Sequence, residues 1–219
     1  MMMASHAAVL TAGHVDVIGV GFDGTDFDLH SHAEDGAVVD GNPLAASEEY
    51  HPGDLTILVT TVNARENDSA WAPIGVASGI NFYSTPFSDT PGQPYVGIGT
   101  EELVSSEWTG NLVITLKNVS GPGIFSLFQL DGVNNPTFFM SSFDGVSDSD
   151  KYEIPAEAHR HFSWAFTQEG DYELTFNVAG NHSSGAKSSD ATYKFSVVPE
   201  PSTGLLGLFG LVAFARRKR

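Results

Sequence analysis

The chain predicts an all-β fold, a β-sandwich of Ig-like or jelly-roll kind with long loops and a short apolar C-terminal tail. Three observations lead there. Short apolar runs alternate with polar residues at a period of two. Gly and Pro, 34 of the 219 residues, cluster with Ser, Thr and Asp between those runs. No stretch of the body sustains a 3.6-residue period, so layered sheets remain as the way to build a core. A hydrophobic content of 41% is enough for one such core. The division expected is a start segment over 1–10, a sandwich over 11–198 and a separate tail over 199–219.

The elements follow in order. "HVDVIGVGF" (14–22) alternates, with Val15, Val17 and Gly19 on one face and His14, Asp16, Ile18 and Val20 on the other. Asp23-Gly24 is a tight-turn pair, and "TDFDLHSH" (25–32) returns with Phe27 and Leu29 opposite Asp28, His30 and His32. "DLTILVTTV" (54–62) reads as a long apolar strand. "WAPIGVAS" and "PYVGIGTE" are broken by Pro and Gly and read as loop-rich edge segments. "GNLVITLKNVS" (110–120), "GIFSLFQLD" (123–131) and "PTFFMSSF" (136–143) are strands. "HRHFSWAFT" (159–167) points Phe162, Trp164 and Phe166 inward as core payload, with His161, Ser163 and Ala165 opposite and His159 continuing their side. Tyr172–Val178 and Tyr193–Val198 close the fold, with Asn181–Asp190 a polar excursion between them. About nine or ten strands are expected.

Charge and composition narrow the function. Up to Val198 there are 6 basic residues against 26 acidic ones, a net of -20. Such a surface repels phosphate backbones, which excludes a nucleic acid partner. There is no cysteine, so disulfides, thiolate metal sites and cysteine nucleophiles are excluded. No Gly-x-Ser-x-Gly elbow occurs, and "GVGFDG" lacks the strand-turn-helix context of a phosphate loop. No carboxylate pair stands out for glycoside hydrolysis. No catalytic residue is assigned.

The histidines carry the sharpest chemistry. His159 and His161 are two apart on one strand, about 7 Å between side chains. His30 and His32 repeat that spacing, and His14 with Asp16 makes a third such pair. His51 stands just ahead of a strand. Two ligands alone bind weakly, but two strands of this kind supply four, and neutral imidazole with carboxylate suits Zn²⁺, Mn²⁺, Fe²⁺ or Cu²⁺. His14, Asp16, His30, His32, His159 and His161 are therefore expected to form one patch at an edge or mouth of the sandwich. The acidic surroundings are expected to raise the imidazole pKa values and to weaken binding below about pH 6. The alternative is that these are structural and surface histidines.

Weaker candidates remain. "DGTDFD" (23–28) and "DGVSDSD" (144–150) offer carboxylates in Gly-containing loops, a setting for calcium, without EF-hand spacing. Trp71, Tyr83, Phe87, Tyr95 and Trp108 lie in the long loops and could stack on sugar rings, which would suit a carbohydrate-binding or carbohydrate-active sandwich.

The C-terminus reads "VVPEPSTGLLGLFGLVAFARRKR". An eleven-residue apolar run (205–215) spans roughly 16 Å as a helix, against a hydrocarbon core of about 30 Å. A transient membrane stop held by basic residues fits better than a permanent anchor. Pro199, Glu200 and Pro201, then the apolar run, then Arg216, Arg217, Lys218 and Arg219, resemble the PEP-CTERM sorting signal of Gram-negative bacteria. That resemblance implies recognition by an exosortase, a membrane protease-transpeptidase. It further implies removal of the tail and delivery to the cell surface or exopolysaccharide matrix. The start "MMMASHAAV" lacks a basic n-region but has a small-x-small pattern near Ala7, so a truncated export signal is expected, with the mature chain beginning near Ala8.

A second resemblance covers the body. "GHVDV" (13–17) and "HRHFSWAFTQEGDYELTF" (159–176) resemble the choice-of-anchor, actinobacterial-type surface-anchored protein domain. Its His-aromatic-Trp-x-Phe signature and Gly-x-Tyr turn are matched by His161, Phe162, Trp164, Phe166, Gly170 and Tyr172. This resemblance implies a surface protein and establishes no enzymatic activity. Some relatives sit beside metal-type ABC importers, which makes metal handling thinkable. The leading expectation is a non-enzymatic surface or matrix sandwich. A surface metal-binding module and a carbohydrate-binding sandwich are the alternatives.

Overall fold

A computed structural model describes residues 7–198. Seventeen strands are present there: β1 (Ala8–Phe22), β2 (Phe27–Ala33), β3 (Val38–Val39), β4 (Asn42–Pro43), β5 (Glu48–Tyr50), β6 (Leu55–Val59), β7 (Val62–Ala64), β8 (Asn81–Ser84), β9 (Pro94–Gly99), β10 (Trp108–Ser120), β11 (Phe125–Leu130), β12 (Pro136–Ser141), β13 (Lys151–Ile154), β14 (His159–His161), β15 (Ser163–Phe166), β16 (Gly170–His182) and β17 (Gly185–Val197). They form two sheets in a sandwich-like all-β fold. The larger runs β13-β10-β16-β17-β6-β1-β2-β5, with β9 and β14 branching from β1. The smaller runs β12-β11-β15-β8-β7.

The branch exists because β1 is long and serves two sets of neighbours. Its first residues pair in parallel with Leu55–Ile57 of β6, and from Gly13 onward it pairs with β9 and β2. Gly13 sits at the changeover with φ 92°, a left-handed value that a side chain resists, and a Cβ there would strike the Ala37 backbone. Residues 8–10, expected to belong to the start segment, are thus strand, and Leu10 is fully buried.

A register shift between Asp16 and Gly19 breaks the expected alternation of β1. The extra residue places Asp16 and Gly19, three apart, on one face, and both faces of this stretch are buried. The hairpin to β2 forms as expected at Asp23-Gly24, with Phe22 opposite Phe27.

The core lies between the sheets. Phe125, Trp164, Phe166, Phe176 and Phe195 pack ring against ring there. Tyr172 is buried, and its hydroxyl donates to the Gln168 carbonyl (2.9 Å), which pins the turn between β15 and β16. A smaller cluster of Trp71, Ile74, Phe82, Phe128 and Ala165 covers the other side of the smaller sheet, under a 3-10 turn over Ser69–Ile74. Ala165 and Ser163 are therefore buried too, although the two-period pattern assigns them to an outer face.

Three further expectations change. The segment "HRHFSWAFT" is not one strand: β14 belongs to the larger sheet and β15 to the smaller, and the chain crosses at Phe162. "PYVGIGTE" is not an edge, because β9 lies between β1 and β14. Residues 181–190 are not a loop: β16 and β17 stay paired out to His182 and Gly185, so polar residues extend a long hairpin. Lys151–Ile154, too short to stand out in sequence, pairs with β10.

Candidate metal centre

Four strands and one loop build a trough on one face of the larger sheet. In order across it lie β2, β1, β9 and β14. Asp16 is level with Gly97 of β9, which is level with His161, and Gly99 is level with His159. Strands β1 and β14 are two spacings apart, about 10 Å. Side chains can meet across that gap only if the strand between them is bare. Gly97 and Gly99 leave it bare, and a Cβ at either would collide with the Asp16 carboxylate.

The inner group is His14, Asp16, His159 and His161, whose ligand-type atoms all lie within 4.8 Å of one another. His159 Nε2 is 2.5 Å from His161 Nε2. His14 Nε2 is 3.7 Å from Asp16 Oδ1, too long for a hydrogen bond. The His14 ring lies 5.0 Å from that of His159 and 4.6 Å from that of His161. Asp16 is 6% exposed and His161 9%. His14 Nε2, Asp16 Oδ1 and His161 Nδ1 are buried without a hydrogen-bond partner. Buried polar atoms of this kind are rare unless something satisfies them.

Neighbours hold the group in place. Tyr95 stacks on His161 at 3.4 Å between ring centres, Gln129 Nε2 donates to the His161 carbonyl (2.6 Å), and Glu101 Oε1 lies 3.6 Å from His159 Nδ1. Burial, then the charges of His14 and His159, push the His161 pKa down to about 4, with Asp16 opposing. His161 therefore stays neutral, the form that can bind a metal. At His14 burial also disfavours charge, but Asp16, Glu34 and Glu101 outweigh it and raise the pKa. The uniform rise expected from the acidic composition thus holds for His14 and reverses for His161.

His30 and His32 do not join this group. They gather with Glu49 and Glu102 in a second one on the same face, also within 4.8 Å. His32 is opposite Asp16 in the β1–β2 register, and opposed residues share a face. The single patch of six ligands is thus divided in two, because β1 lies between the strands that carry the two H-x-H pairs.

The PEP-CTERM protein-sorting motif matches residues 197–219. This PEP-CTERM signal marks an exported protein that is recognised and processed at the membrane by an exosortase-type enzyme. Pro199, Glu200, Pro201, Arg216, Arg217, Lys218 and Arg219 lie outside the described residues. No curated protein and no solved structure gives a significant match. The PEP-CTERM match overlaps the body only at residues 197–198, and the resemblance of "GHVDV" and "HRHFSWAFTQEGDYELTF" to the surface-anchored domain gains no support from it.

The other candidate residues have structural roles. Asp23 Oδ1 accepts from the Thr25 and Asp26 amides (2.7 and 2.9 Å), closing a turn and lowering the Asp23 pKa. Asp150 is buried and accepts from the Ser141 and Ser147 amides (both 2.8 Å). Among the described residues neither loop gathers its carboxylates into a ligand group, and Asp23 and Asp150, at the ends of their loops, are used by nearby backbone amides. Trp71 and Trp108 are buried in the core, and Tyr95 faces His161, so the aromatic set expected to stack on sugars is dispersed. His51 is exposed and joins neither group.

Glu101, Glu102, Glu49, Gly97 and Gly99 were not picked out by the sequence pattern, and Tyr95 was picked out only as a sugar-stacking candidate. One signal was present: "VGIG" places Gly at every second position of a run whose Val96 and Ile98 are buried. A bare face on a well-packed strand marks close approach rather than an edge.

Proposed function

We propose that the exported body is a non-enzymatic surface module that binds a transition-metal ion, with His14, Asp16, His159 and His161 as ligands. The observation that carries this is the convergence of three imidazoles and one carboxylate from β1 and β14 over a glycine floor, with buried ligand atoms left unpaired. Three nitrogens and one oxygen suit tetrahedral Zn²⁺, and imidazole also suits Cu²⁺, Fe²⁺ or Mn²⁺. Four protein ligands close a tetrahedral site and leave no position for a reacting water, which favours binding over catalysis. Glu101 beside His159 is the kind of outer partner that orients a ligating ring. The sorting signal indicates export, and an exopolysaccharide matrix is a fitting destination for such a module.

Isothermal titration of the full chain with Zn²⁺ and Cu²⁺ at about pH 7.5 tests it. The wild type should bind more tightly than about 10 μM, and the His159→Ala/His161→Ala double variant should lose that step. Equal binding by both, or none in either, removes the histidines as the site. Intact-mass measurement of surface-extracted protein tests the delivery: the mature chain should lack Leu205–Arg219, and a mass that retains Arg219 counts against processing.

A further inference from the structure

We infer that the trough holds a second, more open cation site made by His30, His32, Glu102 and Glu49, which takes a divalent transition-metal ion alongside the inner one. This rests on the metal-binding reading of the inner group. It goes beyond it in giving the module two ions of different exposure.

The decisive residue is His30. It is only 4% exposed, although it is an ionisable side chain. Its Nδ1 lies 3.2 Å from the Asp28 carbonyl oxygen. A carbonyl can only accept, so Nδ1 donates there and Nε2 is the ring atom left to face the cleft. Nε2 faces Glu102 Oε1 at 3.0 Å. A contact of that length between a ring nitrogen and a carboxylate calls for a positive charge, a proton on Nε2 or a bound cation. The structure gives Nε2 no hydrogen bond, and the atom is shielded from solvent. The ring packs over Gly19 of β1, where a Cβ would lie 2.7 Å from Nε2, so the glycine makes the room that the ring occupies. A metal cation shared by Nε2 and Oε1 satisfies the contact, and it alone would also use His32 and Glu49, which gather within 4.8 Å of the same point.

The remaining ligands are in place. His32 Nδ1 is 3.8 Å from the same Glu102 oxygen, and its Nε2 is 4.0 Å from Glu34 Oε1. Glu49 of β5 is directly opposite His32. The cleft has a volume of about 80 Å³ and is lined by His30, His32, Glu34, Glu101, Glu102 and Asp16. That accommodates an ion with a few waters and is far below the ~300 Å³ of an organic ligand site. Two imidazoles and two carboxylates neutralise a divalent charge and favour harder ions than the imidazole-rich inner group does.

One loop serves both groups. Thr100 is fully buried, and its hydroxyl lies 2.7 Å from the Pro155 carbonyl and 2.9 Å from the Ala158 carbonyl, which share its one proton. The next two residues divide: Glu101 faces His159 of the inner group and Glu102 faces His30 of the outer. The Glu102 side chain is 46% exposed, so the outer ion exchanges with solvent more readily and binds more weakly.

Native mass spectrometry and titration of the full chain with Zn²⁺ test this, on wild type, His159→Ala/His161→Ala, Glu102→Gln and His32→Ala. Glu102 and His32 are both partly exposed, so their variants should fold, and circular dichroism checks that they do. The expected result is two equivalents in the wild type. The double variant keeps the weaker one. Glu102→Gln and His32→Ala each weaken that step at least tenfold and leave the tighter step unchanged. A single wild-type equivalent, abolished in the double variant, overturns the second site while the inner one stands. Two equivalents with both affinities unchanged in Glu102→Gln and His32→Ala also overturn it. A wild type that binds no Zn²⁺ overturns both readings together.

Discussion

The inner and outer groups start from the same local pattern, an H-x-H pair on a strand, and end in different chemistry. The inner pair His159–His161 meets His14 and Asp16 from a strand some 145 positions earlier, and is walled by Tyr95 and Gln129. The outer pair His30–His32 meets Glu102 and Glu49, both exposed to water. Crowding of three imidazoles in a buried place keeps His161 neutral, whereas in the outer group carboxylates equal imidazoles in number. Spacing along a strand therefore offers a pair of ligands, and the neighbouring strands decide what that pair can hold.

The largest effect that would break this comparison comes from the core behind the inner group. Trp164 follows His161 by three residues and is fully buried. Trp164→Ala should cost about 3–5 kcal/mol in urea unfolding. Among Zn²⁺-binding steps it should weaken the inner more than the outer. A loss below about 1 kcal/mol would place Trp164 outside the core.

Metal-free stability against pH sharpens the same contrast. His161 has a folded pKa of about 4 against 6.5 unfolded, so between those values the unfolded chain binds the extra proton. Stability from this residue is present above pH 6.5 and is lost as pH falls toward 4. The size is of the order of 3 kcal/mol at most. His14 works the other way: its raised pKa adds stability at low pH that fades as pH rises through its folded value. Urea midpoints in chelator at pH 7.5 and 5 should drop in the wild type, and drop less in His161→Gln. Equal drops in the two proteins would show that His161 is not held neutral.

Gly97→Ala separates the groups by sterics. The added methyl displaces the Asp16 carboxylate, so the inner Zn²⁺ step should weaken about tenfold, roughly 1.4 kcal/mol, while the outer step changes little. An unaltered inner step would mean that Asp16 is not a ligand. The smallest effect expected is that of Tyr95→Leu, which removes the ring stacked on His161. It should cost about 0.5–1.5 kcal/mol in stability, with a several-fold loss at the inner site only. Matching losses at both sites would indicate a general disturbance of the trough.

Much of this was legible along the chain. The Asp23-Gly24 hairpin, the core role of Phe162, Trp164, Phe166 and Tyr172, and the separate character of the tail all follow from short-range rules. The pairing of His14 and Asp16 with His159 and His161 also had a trace in their shared two-residue spacing. The misreadings have a common cause. β9 looked like an edge because its glycines weaken a strand in isolation, yet here they make room for other side chains. "HRHFSWAFT" looked like one strand because its alternation is unbroken, yet the chain changes sheets at Phe162.

By itself the sequence determined the class of fold, the aromatic core, the two-apart ligand pairs and the sorting tail, since each depends on residues near one another along the chain. Only the tertiary structure decided that β9 lies between β1 and β14, that Glu101 and Glu102 part company on one loop, and that six expected ligands divide into two groups. The physical reason is that a period of two says which side of its own strand a residue faces. Which strands become neighbours is set by pairings between distant segments, and no local spacing carries that information.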